Sequence, residues 1–344
     1  MAEFDSKVFN ENKFGKYVSM IENPHLNMFM KAGIFVPVSE TVRSLPDAAG
    51  GNYVTEPIKG LLDGEVLNYD GKTDNTPTSR DTYAQSKVVY GRMKAWVEKD
   101  FATDIAGAEF LPEKEMAGEV AEYYENVDQK TLLSVLEGIF AMNDTAGKKF
   151  VDKHTNDIGG PITATSMNRT VTKASGDNKK IYKVAIMHSE VAAQYEDLQL
   201  VEYLKYTDAE GIARDIGLAR VGGKTVLIDD DAPVIEGGDG EADKYVTYLF
   251  GSGAFEFGRI GVKNPYKMAY DPEKNGGQTA LYTKIRAVIA PKWISFTKKA
   301  MASDSPTDAE FRNGQNWEIV KNAKGTKHVD DKFIPIARMI STVE

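Results

Sequence analysis

KGLLDGEVLNYDGKTDNTPTSRDT, Lys59–Thr82, is a polar stretch of twenty-four residues, rich in Gly, Asp, Asn and Thr, set between two strand-like segments. The incoming segment is Tyr53–Ile58 (YVTEPI). The outgoing one, Tyr83–Phe101, alternates with period two: Val89, Gly91, Met93, Ala95 and Val97 share one face, while Tyr90, Arg92, Lys94, Trp96 and Glu98 share the other. The pattern predicts a long two-stranded ribbon over Tyr53–Phe101. A structureless loop of this length is uncommon in a compact domain unless it is functional, and an isolated hairpin is marginal in water. Leu61, Leu62, Val66, Leu67 and Tyr69 are apolar groups in this otherwise polar tip. Leaving them wet makes little sense for a lone molecule, so they are expected to contact a neighbouring subunit.

Working outward, the ribbon leads into a long helix. Pro112 followed by Glu113, Lys114 and Glu115 marks its start, because proline suits the first turn and acids complement the positive helix end. Met116, Val120, Tyr124, Val127, Leu132, Leu136 and Phe140 recur at helical spacing, with Glu119, Glu122 and Glu125 mostly opposite. The helix is expected to run to Met142, a rod of roughly 43 Å.

On the other side of the ribbon, the first thirty residues scatter Phe4, Phe9, Phe14 and Tyr17 among Asn, Lys and Glu. This suits an arm lying on another surface, and equally a frayed terminus. Asn27–Val38 reads as a short helix ending at Gly33 and then a strand to Pro37. Beyond the long helix, Asp144–Pro161 reads as loop and Thr163–Ser175 as a helix closed by Gly176. Ile181–Met187 reads as a buried strand and His188–Leu204 as helix. Strands follow within Gly222–Pro233, Lys244–Gly253, Ala254–Val262 and Tyr282–Phe296, and the tail Phe333–Val343 ends as a strand. The class is α+β with an extended appendage.

Composition narrows the function. The chain has 344 residues, 42% hydrophobic and 27% charged, as in ordinary soluble proteins, and no run approaches the roughly 18 apolar residues of a membrane span. Zero cysteines exclude disulfides, thiolate metal sites and a cysteine nucleophile. The net charge of −9 argues against a tight grip on nucleic acid, though not against facing it.

No catalytic or metal motif stands out. His188 reads as a helix-start residue beside Ser189, while His25, His154 and His328 lie in polar loops without ligand spacing. Asp229, Asp230 and Asp231 lack the alternating pattern of a calcium loop and read as a solvated turn before Pro233. Gly-Gly-Lys-Thr at 222–225 lacks the first glycine and spacer of a phosphate loop and precedes a strand, which makes it a hairpin turn. No cofactor is expected.

The order of elements resembles the major capsid proteins of tailed bacteriophages, the Hong Kong 97-like fold. The resemblance rests on LNYDGKTD (Leu67–Asp74), GRMKAWVEKDF (Gly91–Phe101), VDQKTLLSVLEGIF (Val127–Phe140), KASGDNKK, and the run from VAIMHSEVAAQYEDLQL through GGKTVLIDDDAPV. Together they cover nearly the whole chain and are similar to coat proteins of phages with Firmicutes-type hosts. The resemblance implies an N-terminal arm (1–30), the start of a peripheral P-domain (31–52) and an extended E-loop ribbon (53–101). It further implies the P-domain with its spine helix (102–187, helix about 112–142), an axial A-domain (188–315), and C-terminal strands returning to the P-domain (316–344).

It also implies a structural protein with no enzymatic turnover. Copies would self-assemble into hexamers and pentamers of an icosahedral head in the host cytoplasm. The implied partners are a scaffolding protein, a portal protein and a decoration protein, with no membrane. The shell would enclose double-stranded DNA without sequence-specific binding. Methionine at position 1 favours a separate scaffold over a cleaved leader. Inter-subunit contacts are expected at the apolar tip residues, at Phe4, Phe9, Phe14 and Tyr17, and at Trp96. Arg80 and Arg92 are expected to set register through ion pairs with Asp81, Lys94 and Glu98 as companions. Lys59 and Lys72 could donate to isopeptide crosslinks, but nothing identifies an acceptor. The rival readings are an encapsulin-like compartment around a cargo enzyme and a soluble enzyme of an α+β family.

Overall fold

Strand Thr82–Lys99 is the axis of the architecture. A computed structural model describes residues 33–43, 52–60, 62, 65–75, 77, 80–101, 113–207, 213–238 and 241–343, with side chains at 113–115, 203–207 and 213–218 outside the description. The expected arm, with Phe4, Phe9, Phe14, Tyr17 and His25, lies outside the described residues, as do Leu61, Pro112 and the expected helix before Gly33.

The strands are β1 (Phe35–Pro37), β2 (Tyr53–Lys59), β3 (Thr82–Lys99), β4 (Thr155–Asp157), β5 (Tyr182–Met187), β6 (Val201–Thr207), β7 (Ala213–Val221) and β8 (Lys224–Ile228). They continue as β9 (Val234–Ile235), β10 (Lys244–Gly251), β11 (Phe255–Ile260), β12 (Tyr266–Asp271), β13 (Gln278–Pro291), β14 (Ile294–Phe296), β15 (Trp317–Ile319) and β16 (Ile336–Thr342). The α-helices are α1 (Glu40–Arg43), α2 (Glu113–Phe140), α3 (Thr145–His154), α4 (Ser166–Ser175), α5 (Ser189–Asp197) and α6 (Asp308–Arg312).

Two sheets dominate. One orders β1-β11-β13-β3-β2, with β12 also on β13. The other orders β4-β16-β10-β5-β8-β7-β6, with β9 also on β10. The ribbon is shorter than its sequence predicts. β2 pairs antiparallel with β3 only from Tyr53↔Val88 to Lys59↔Thr82, and from Val89 onward β3 pairs instead with β13, ending at Lys99↔Gln278. The physical reason is backbone satisfaction: seven residues of β2 cannot pair eighteen of β3, so the rest of β3 becomes an interior strand. Pro57 is tolerated because β2 is the outermost strand of the sheet, where a missing N–H costs no ladder bond.

The 28-residue α2 spans roughly 42 Å and bridges two cores. Its C-terminal half puts Leu132, Leu136 and Phe140 with Tyr90, Tyr248, Phe250, Phe311 and Trp317. Its N-terminal half puts Val120 and Tyr124 with Tyr266, Met268 and Leu281. Gly138 lets α6 approach, since a Cβ there would sit 1.9 Å from the Phe311 carbonyl. Asp128 is the polar pin: it accepts from the Tyr90 hydroxyl at 2.9 Å and from Arg259 at 2.5 Å. Burial pushes its carboxyl upward, and Arg259 opposes that. A separate core under α4 and α5 packs Met167, Val171, Val191 and Tyr195 on Ala185, Met187 and Leu249 of the second sheet.

Two local expectations fail. Asp144–Pro161 holds helix α3 and strand β4 rather than a loop, because Phe150 and His154 lie four residues apart and form one buried face, with Phe150 stacked 5.9 Å from Phe140. His154 is therefore a core residue, its Nδ1 2.7 Å from the Ile336 carbonyl. His188–Leu204 is not one helix: α5 stops at Asp197, Gln199 takes φ of 55°, and Val201 begins β6.

A second polar pin lies under the ribbon. Lys87, 4% exposed, reaches Glu256 at 2.5 Å and also pairs with Glu56, which accepts from the Ser39 hydroxyl. Burial acts to raise Glu56, but Lys87 and Ser39 outweigh it and hold the carboxyl below its usual range. Lys87→Met would leave both carboxylates without their cation. It should destabilise the fold by about 3–5 kcal/mol in denaturant titration, with part recovered by adding Glu56→Gln and Glu256→Gln.

Burial also depresses His154 to about 4, its bond to Ile336 only partly opposing this. The folded state prefers the neutral ring, so this contribution is intact above the unfolded value near 6.5 and is lost as pH falls from there toward 4. Acid titration of stability should lose on the order of 3 kcal/mol across that window. His154→Gln should flatten the slope.

Candidate assembly surfaces

The ribbon closes at a narrow neck. Gly60 N–H donates to the Asp81 carbonyl at 2.9 Å, and Arg80 Nε donates to the Gly60 carbonyl. A Cβ at Gly60 would stand 2.7 Å from both the Asp81 carbonyl and the Tyr83 ring, so only glycine fits. Behind the neck, Tyr83 meets Trp293 edge-on at 6.3 Å and Gln85 donates to the Pro291 carbonyl at 2.8 Å. Arg80 thus serves the neck itself.

Past the neck the tip folds on polar contacts of its own. Asp70 accepts from the Lys72 and Thr73 amides at 2.9 and 2.8 Å, and these bonds hold its carboxyl below the usual range. The apolar side chains of the described tip residues are exposed. Leu62 is 82% exposed, Val66 98%, Leu67 50% and Tyr69 100%. These four expected contact residues therefore face solvent.

Two other expected contact residues have company inside the chain. Arg92 donates to Asp308 at 2.6 Å and to the Pro306 carbonyl at 2.8 Å, and lies over the Tyr90 ring. Trp96 is half-buried and meets Tyr123 edge-on at 5.1 Å.

Sequence reading missed a surface on the same strand. Tyr90, Arg92 and Trp96 face α2, so Met93 and Val97 point outward at 85% and 54% exposure, beside the exposed Tyr282 of β13. The alternation was visible, but nothing in it said which face would meet the helix. Nearby, an apolar groove of about 340 Å³ opens between the start of α2 and the sheet, lined by Trp96, Met116, Tyr123, Met268 and Leu281.

The remaining candidate chemistry resolves into local structure. His188 is itself the N-cap of α5, its Nδ1 accepting from the Glu190 amide at 3.2 Å. Asp229–Asp231 form a turn: the Asp229 amide donates to the Met187 carbonyl at 2.9 Å and Asp230 accepts from the Ser189 amide. Gly222 and Gly223, with φ of 55° and 77°, turn the chain from β7 into β8, as the hairpin reading expected.

Solved structures with a similar fold include phage capsids. The Cyanophage Pam1 capsid superposes with a TM-score of 0.56 at 12% identity, covering 94% of each chain. The capsid of Helicobacter pylori bacteriophage KHP30 gives 0.54 at 9% identity, covering 94% of this chain and 92% of that one. The chain has the Hong Kong 97-like fold. No family model matches it. In sequence, it is 28% identical to the major capsid protein of Bacillus phage SPP1 over 330 residues, 95% of this chain and 97% of that protein.

The neck offers a direct check. Gly60→Val should open the ribbon base, raising amide exchange across Tyr53–Lys59 by at least roughly tenfold while Leu132–Phe140 stays protected.

Proposed function

We propose that this chain is the major capsid protein of a tailed double-stranded DNA phage, self-assembling through many copies into an icosahedral head. One observation carries the reading: Leu62, Val66, Leu67 and Tyr69 are held out in water on a ribbon whose neck is built to fix its direction. Burying a few hundred Å² of such surface on an adjoining copy contributes several kcal/mol at roughly 25 cal/mol per Å², before association costs. Repetition over closed symmetry then makes a durable container from individually weak contacts.

The similarity to the SPP1 major capsid protein along nearly the full length of both chains supports the coat role over an enzyme compartment. In this reading β2 and β3 with their tip form the E-loop, α2 is the spine helix of the peripheral P-domain, and the second sheet supplies the axial A-domain. β5 precedes the expected boundary at 188 yet sits within the second sheet, whereas β11–β13 lie after it and join β3. The sheets therefore favour dividing the chain by sheet membership. Contacts through Trp96, Arg80 and Arg92, and through Phe4, Phe9, Phe14 and Tyr17, belong to the same proposal. The groove beside Trp96 is a matching seat for a neighbour's tip. The protein performs no turnover, assembles in the host cytoplasm into hexamers and pentamers, and works with scaffolding, portal and decoration proteins.

The test is assembly. Purified chain, with and without a candidate scaffold, should give rings or particles by electron microscopy. Leu67→Asp with Tyr69→Asp should abolish them while leaving the thermal midpoint of the unassembled chain within about 2 °C. A wild-type chain that stays monomeric at high concentration with its scaffold, or a double variant that assembles normally, would sink the reading.

A further inference from the structure

We propose that the cleft between α4 and the β7–β8 hairpin is a binding site for phosphate groups. The space measures about 600 Å³, and Lys179, Lys180, Lys183, Arg220 and Lys224 line it with no acid among the lining residues. In a chain of net charge −9, such a grouping stands apart. Other lysines in the same body have carboxylates to hand: Lys153 meets Asp331 at 2.8 Å and Lys299 meets Glu318 at 2.9 Å. The acid closest in sequence to the cleft, Asp177, instead lies 3.8 Å from Lys332.

Lys224 is the most enclosed of the five cations. It is only 9% exposed, and among the described residues no hydrogen bond or ion pair satisfies its ammonium. Burial and the neighbouring charge of Lys179 both disfavour its charged form. A partly desolvated cation facing like charges calls for a dense anion. The Gly222–Gly223 turn beside it is open, with nothing within 4 Å of where a Cβ would stand on either glycine, so a ligand can approach the backbone closely. Two cations come from the hairpin and three from the 176–183 segment, so they converge from two directions. A phosphate chain, with several charges in a short span, matches that convergence better than the single charge of a carboxylate. The arrangement differs from a phosphate loop: the glycines connect two strands, and no helix follows them.

The experiment uses the full chain and calorimetric titration with tripolyphosphate. One molecule should bind per chain, more weakly as salt rises, and Lys224→Gln or Arg220→Gln should weaken binding by roughly tenfold or more. Lys267→Gln, on the exposed side of β12, should leave it unchanged. Tripolyphosphate should raise the thermal midpoint of the wild type and not that of Lys224→Gln. Arg220 is exposed, so its variant keeps the test valid should the buried position disturb folding. Displacement of tripolyphosphate by a short duplex DNA would identify backbone phosphates as the natural source, and failure to displace it would identify a free oligophosphate. The proposal is overturned by absence of binding, by equal binding in all three variants, or by stronger binding of a peptide carrying Asp229–Asp231. None of these outcomes depends on shell assembly, so this site and the coat role fail separately.

Discussion

Eighteen consecutive extended residues, Thr82–Lys99, must have their backbone groups paired, and no single partner reaches along all of them. β2 takes the first part and β13 the rest, so one strand belongs first to a projection and then to the body. The outgoing arm of the projection continues without a break into the sheet that carries α2. Lys87 stands next to this handover, and its buried charge pairs with both Glu56 of β2 and Glu256 of β11. The ion pairs therefore tie the ribbon to the body.

The same logic governs the long helix. A rod of this length buries too little at either end to be held by one cluster, and two cores grip it along its length. Asp128, between them, fixes its rotation by meeting Tyr90 from β3 and Arg259 from β11. Helix position is thus set by polar geometry and apolar area at once, with Gly138 and the Phe311 carbonyl fixing the closest approach.

What could be read from sequence follows from signal length. The helix and the strand at Tyr182–Met187 carry strong patterns, and both were legible along with the glycine-closed helix before them. Short elements with mixed composition were not: α3 sets its buried Gly147, Phe150 and His154 among three lysines, and only packing against Phe140 reveals Phe150 as core. The end of α5 turns on Gln199 adopting a left-handed backbone, a conformation no propensity assigns to glutamine. At the assembly surface, the apolar residues of the tip were visible because their neighbours are so polar. Met93 and Val97 were not, because alternation gives two faces without saying which one a helix will cover. Arg92 shows another limit: its pairing with Asp308, distant in sequence, is not visible in one dimension.

Among the described residues, Pro57 occupies the outer strand of the ribbon, and its ring removes an amide from that strand's free margin. Fibril-like zippering of one copy's margin onto another is thereby blocked where a projecting hairpin invites it most. At this margin, adhesion between molecules is left to side chains. Such joints can be made, broken and remade, so misfitted copies can be discarded and a curved, closed container can correct its own errors as it grows.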